Sequence, residues 1–131
     1  VKKVLAAALL LATPVAADEV WNSNWGQVVY LADVGSTAIF TVPYSTNVAH
    51  IYLPGLAGNF EQRGVHEGYY ISGEDGPCDM AMTGPDGVSS TNWGRVTLIF
   101  DNPTYPSGFT ALWGICMMDP EDSLNILRAT F

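Results

Sequence analysis

The sequence predicts an all-β protein: a single antiparallel β-sandwich or small β-barrel of about eight short strands with one disulfide. Three observations lead there. Short runs of alternating apolar and polar residues recur along the chain, and no segment keeps a helical period. Clusters of Gly, Pro, Asp and Asn separate those runs, as turns do. Two cysteines, Cys78 and Cys116, follow an export-type leader, and an even pair in that setting reads as a disulfide.

The leader is VKKVLAAALLLATPVAA. Lys2 and Lys3 precede an apolar run over 4–15, and Val15, Ala16 and Ala17 supply small residues for cleavage. The run is shorter than the roughly 20 apolar residues that cross a bilayer. We therefore expect residues 1–17 to be a cleaved secretory signal peptide and 18–131 a single all-β domain without a membrane span, periplasmic or extracellular. Two of the five basic residues lie in the leader, so the remainder carries three arginines against thirteen acids, a net charge of −10. Such a surface repels the phosphates of nucleic acids and anionic membranes. It favours a basic protein as partner.

The strands follow in order. GQVVYLA (26–32) ends at DVGS. TAIFTVP (37–43) sets Ala38, Phe40 and Val42 on one face and Thr37, Ile39 and Thr41 on the other. VAHIYLP (48–54) ends at GLAGN, and EGYYISG (67–73) is β-prone and ends at EDGP. CDMAMT (78–83) places Cys78, Met80 and Met82 on one face. GRVTLIF (94–100) sets Val96, Leu98 and Phe100 against Arg95, Thr97 and Ile99. FTALWGICMM (109–118) is apolar on both faces, the pattern of a central strand buried on both sides. SLNILRATF (123–131) reads as a closing strand, the alternative being a short helix capped by Asp122 or Ser123. A Cys78–Cys116 disulfide would stabilise this fold by about 4 kcal/mol on chain-entropy grounds.

One internal echo stands out. SNWGQV (23–28) returns as TNWGRV (91–96), each time just ahead of a strand. Asn and Gly suit the turn at a strand entry. Trp25 and Trp93 are expected to plug the ends of the core, and they can pair across strands if those strands are neighbours.

Sites are fewer. The histidines are His50 and His66 alone, with neither H-x-H nor H-E-x-x-H spacing, and no G-x-S-x-G elbow is present. Glu61 or Glu67 would be the third ligand of a metal held by both histidines. Glu74, Asp75, Asp79 and Asp86 do not match a calcium loop. No cofactor, catalytic set or metal site is therefore expected. Trp113 lies in the most apolar run and belongs to the core, whereas Trp21 and Trp25 stand beside Asn22 and Asn24, as in sugar platforms and protein anchors. The longest irregular stretch, 53–68, holds Phe60, Arg63 and His66. Loops of that length often carry function.

Acidic, exported and disulfide-bonded, the chain resembles in general type small exported bacterial β-proteins such as the periplasmic lysozyme inhibitors, which block a basic enzyme with loops. The resemblance assigns no residue here. It implies a non-enzymatic binding domain of the protein-interaction or inhibitor kind. The candidate binding residues, Trp21, Trp25, Phe60, Arg63 and His66, come instead from the aromatic and loop patterns of the sequence. Two alternatives stand beside it. One is a carbohydrate-binding domain using exposed Trp and Tyr. The other is a hydrolase or metal-dependent enzyme using His50 or His66.

Overall fold

The computed structural model describes residues 19–44, 47–58, 64–102, 107–120 and 126–130. Residues 1–18, Phe60 and Arg63 lie outside them. Ten strands occur among the described residues: β1 Val20–Ser23, β2 Gly26–Val34, β3 Thr37–Tyr44, β4 Asn47–Pro54, β5 Val65–Ser72, β6 Met82–Thr83, β7 Ser89–Ser90, β8 Trp93–Phe100, β9 Phe109–Trp113 and β10 Leu127–Thr130. Eight of them close into an antiparallel barrel in the order β1-β10-β9-β8-β5-β4-β3-β2. The small β6–β7 hairpin stands apart. Each barrel strand pairs with the next barrel strand in the sequence, and β10 pairs with β1 to finish the ring. A closed ring of this kind leaves no open edge.

Of the two architectures allowed by the sequence, the barrel forms. Alternation decides which side chains enter it. Ala38, Phe40 and Val42 of β3 and Val96, Leu98 and Phe100 of β8 all point inward and are buried, as their spacing predicts. Aromatic rings fill the space that eight strands enclose. Trp21 sits between Phe40 (5.0 Å) and Phe109 (5.2 Å), and its Nε1 donates to the Ser107 carbonyl at 2.8 Å. Tyr70 meets Trp113 edge-on at 4.8 Å. Between Tyr30 and Ala32 the register of β2 shifts against β3, leaving Leu31 as an extra residue in a bulge.

A second, smaller core lies on the outside of the ring. Ile39, Tyr52, Ile71 and Trp93, on β3, β4, β5 and β8, face outward and are nonetheless buried, together with Cys78. Met82 and Val88 of the β6–β7 hairpin cover them, with Tyr69 and Cys116 at the border. The segment between β5 and β8 is thus a flap on the barrel wall. The Cys78–Cys116 disulfide ties it to the chain beyond β9.

Four expectations need correction. CDMAMT is not a barrel strand: only Met82 and Thr83 pair, with Ser90 and Ser89, because the segment docks on the outer wall instead of joining the ladder. Met80 accordingly is 75% exposed, away from buried Cys78. FTALWGICMM is strand only to Trp113, where Cys116 takes a positive φ of 54° and the chain turns outward. Its burial alternates rather than covering both faces. Trp21 precedes GQVVYLA, the first strand expected from the sequence, yet it lies inside a strand of its own, β1.

The fourth correction concerns the NWG copies. β2 neighbours β1 and β3, whereas β8 neighbours β5 and β9, so Trp25 and Trp93 do not pair. Half-buried Trp25 stacks on Trp113 at 5.4 Å, while Trp93 sits in the outer core. The asparagines also differ in role. Asn24 clamps the barrel seam: its Nδ2 donates to the Ile126 carbonyl (2.9 Å) and its Oδ1 accepts from the Arg128 amide (2.8 Å). Asn92 is buried, and its carbonyl accepts from the Ser72 amide at 2.8 Å.

Candidate functional site

Three features lie side by side on the outer wall at β4, β5 and β8. The first is a polar chain under the flap. Asp86, in the turn between β6 and β7, directs its carboxylate at β4. His50 donates from Nδ1 to Oδ2 at 2.8 Å, and the Tyr52 hydroxyl donates to Oδ1 at 2.7 Å. The Val88 amide also donates to Oδ1, at 3.3 Å. Gly84 makes this approach possible, since a Cβ there would lie 2.5 Å from Tyr52 Cζ. Tyr69 stacks on Tyr52 at 4.9 Å.

Burial, then the Asp86 hydrogen bond, raises Tyr52 far above the ordinary tyrosine value. Burial and then the Asp86 charge raise Tyr69 as well. Burial acts to raise Asp86 itself, but the bonds from Tyr52 and His50 outweigh it and hold the carboxyl below its ordinary value. The carboxylate accepts from Nδ1, so this bond orients the His50 ring with Nε2 directed away from Asp86. A nucleophilic triad needs a further hydroxyl or thiol bonded to that nitrogen. None of the described residues supplies one. What the cluster does by itself is lock the flap to the wall.

The second feature is a groove of about 230 Å³ lined by Glu67, Gly68, Tyr69, Arg95, Val96, Thr97 and Pro120. Its polar members come as two cross-strand pairs, Glu67 opposite Thr97 and Tyr69 opposite Arg95. Arg95 Nη1 also holds Asp119 at 2.8 Å, which fastens one end of the groove. The third feature is a ridge around the disulfide. Met80 is 75% exposed, Ile115 51%, Met117 72% and Met118 68%. Trp93 anchors both halves of the ridge: its Nε1 donates to the Met80 carbonyl at 2.8 Å, and its own carbonyl accepts from the Cys116 amide at 2.9 Å. Residues 117–120 run directly from ridge to groove.

The residues singled out in the sequence are dispersed by the fold. Trp21 is fully buried in the barrel, so no face of its indole is open to a ligand. Trp25 caps Trp113 at the β1–β2 turn. His66 points inward, edge-on to Phe100 at 6.1 Å, and its Nε2 is buried with no hydrogen-bond partner among the described residues. His50 faces outward opposite Ile71, about 17 Å along the strand from His66 at 3.3 Å per residue. The two histidines therefore do not converge on one ion. Among the described residues no group of three His, Cys, Asp or Glu side chains could hold a metal. The irregular stretch at 53–68 is also shorter than expected, because Val65 to Gly68 pair with β8.

Sequence reasoning missed the ridge, because it placed its methionines on strands. It missed the groove because Glu67, Tyr69, Arg95 and Thr97 become neighbours only through the β5–β8 register. No helix among the described residues is long and apolar enough to cross a membrane. No family model matches the chain, and no curated protein or solved structure matches it.

Proposed function

We propose that this chain is an exported, acidic, non-enzymatic binding domain that docks on a basic protein through the ridge and the adjoining groove. The observation that supports this is the ridge itself: Met80, Ile115, Met117 and Met118, 51–75% exposed, on two segments joined by a disulfide. Single exposed apolar residues are ordinary, but a rigidly held group of them is what interfaces use. Methionine adapts its shape to the surface it meets. Asp79 and Asp119 stand beside the methionines, and the whole chain carries −8. A basic partner is therefore attracted over distance and then held by apolar contact. In the groove, Glu67 offers a carboxylate and Tyr69 a ring to a basic side chain. Export itself is supported by the leader and by the disulfide.

The groove also favours a second reading, a carbohydrate unit resting against Tyr69 and bonded by Glu67, Arg95 and Thr97. One experiment separates the two. The purified protein is tested against basic secreted proteins, a lysozyme among them, against acidic controls, and against a glycan panel. Docking predicts micromolar or tighter binding to a basic protein that weakens as salt rises and is lost in Met117→Asp. Equal binding to acidic proteins, or an unaffected Met117→Asp, would refute it. Glycan binding lost in Tyr69→Ala would install the second reading instead.

A further inference from the structure

We infer that the ridge is also a thioether site for a soft monovalent metal ion of the Cu(I) class. The chain has four methionines and two cysteines, and all six fall in residues 78–82 and 116–118. Every sulfur atom of the protein is thus carried by two short segments, and the fold brings those segments together. The Cα atoms of Cys78 and Cys116 are 5.6 Å apart. Trp93 bonds to the Met80 carbonyl on one side and to the Cys116 amide on the other. Trp93 thus holds the backbone of Met80 and that of Cys116, the residue next to the Met117–Met118 pair.

The chemistry of these sulfurs narrows the ligand. Both cysteines are spent in the disulfide, so a thiolate site is excluded. Thioethers remain as soft donors in an oxidising compartment and need no deprotonation to bind. Soft sulfur ligands select Cu(I), whereas Ca²⁺ and Mg²⁺ take oxygen. Exposure divides the methionines by role. Met80, Met117 and Met118 are 68–75% exposed, while Met82 is half-buried against the outer core and has packing to do. Methionine is unbranched with three rotatable bonds, so these exposed side chains are free to reorient towards an ion. Asp79 and Asp119 on the same segments add a field that favours a cation, and Arg95 already occupies one side of Asp119. The inference does not rest on docking, since the ion needs only this chain.

The test is a titration of the disulfide-bonded protein with Ag(I), a redox-stable stand-in, and with Cu(I) under anaerobic conditions. Native mass spectrometry counts the ions, and X-ray absorption reads the first shell. We expect one equivalent of either ion in a sulfur shell, lost in the Met80→Leu/Met117→Leu/Met118→Leu variant. Leucine keeps the volume at these exposed positions, and circular dichroism checks the fold. The single variants give the same answer in smaller steps, while Met82→Leu and His50→Ala retain the ion. Absence of binding, undiminished binding in the triple variant, a nitrogen or oxygen shell, or equal affinity for Zn(II) would each overturn the inference. The protein-docking assay is read without metal, so either proposal can fail alone.

Discussion

The bond between Asp86 and Tyr52 is the contact on which the flap turns, and a double-mutant cycle measures it. The perturbations are Asp86→Ala, Tyr52→Phe and the pair together. The Tyr52 ring is fully buried, and its hydroxyl reaches the carboxylate at 2.7 Å. A hydrogen bond to a charged group contributes about 1.5–3 kcal/mol. The Asp86 side chain keeps 19% of its exposure, and that water access argues for the low end, about 1.5 kcal/mol of coupling. Asp86→Ala also frees His50, whose side chain is 21% exposed and recovers water, so that variant should cost about 2–3 kcal/mol in total. Urea unfolding followed by circular dichroism supplies the numbers. The pH dependence has a fixed sign. The folded pKa of Asp86 lies below its ordinary 3.8, so its stabilising effect is complete above that value and is lost as pH falls through the folded one. The coupling should hold from neutral pH to about 5 and fade below about 4. A coupling under about 0.5 kcal/mol at neutral pH, or one that grows on acidification, would refute the assignment.

Three further outcomes are expected. Removing the Cys78–Cys116 bond, which spans 38 residues, should lower stability by about 4 kcal/mol in urea unfolding, with the β-sheet spectrum of the barrel retained. Gly84→Ala puts a methyl 2.5 Å from Tyr52 Cζ, should destabilise by about 1–3 kcal/mol, and should abolish the Asp86–Tyr52 coupling as the ring is displaced. Tyr52 is raised by burial and Asp86, Tyr69 is raised likewise, and burial beside Tyr44 pushes Tyr70 up to about 12. Their stabilising effect is present below the ordinary tyrosine value of 10 and is lost as pH climbs above it, so phenolate absorbance and unfolding should rise together in alkali.

The barrel strands were legible because period-two alternation is local: Phe40 and Leu98 declare their face within a few residues. The disulfide was legible from composition and setting. What alternation cannot reveal is a second layer. Ile39 reads only as lying on the face opposite Phe40 until the flap covers it, and Met80 reads as sharing a face with Cys78 until its segment leaves the ladder. The candidate site was hidden for a related reason. Arg95 meets Tyr69 only through strand register, and Asp86 meets His50 across 36 residues of chain. The NWG echo misled because two similar turns enter different surroundings, one at the seam and one beneath the flap.

The seam has a consequence for how the protein assembles. Apart from β5 and β8, which are separated by the flap, every other barrel contact joins strands that follow one another, so most of the meander can form hairpin by hairpin. Only the β1–β10 pairing, with Asn22 opposite Thr130, needs the two ends of the sheet to meet. Until it forms, the sheet has two bare edges that complement each other in hydrogen bonds and in register. The Asn24 side chain, which bonds to both Ile126 and Arg128, then acts as a latch on the last strand. The same complementarity exists between the edges of two different chains. Strand exchange at this seam is therefore the route by which unclosed molecules would capture one another, and the speed of latching sets how long that route stays open.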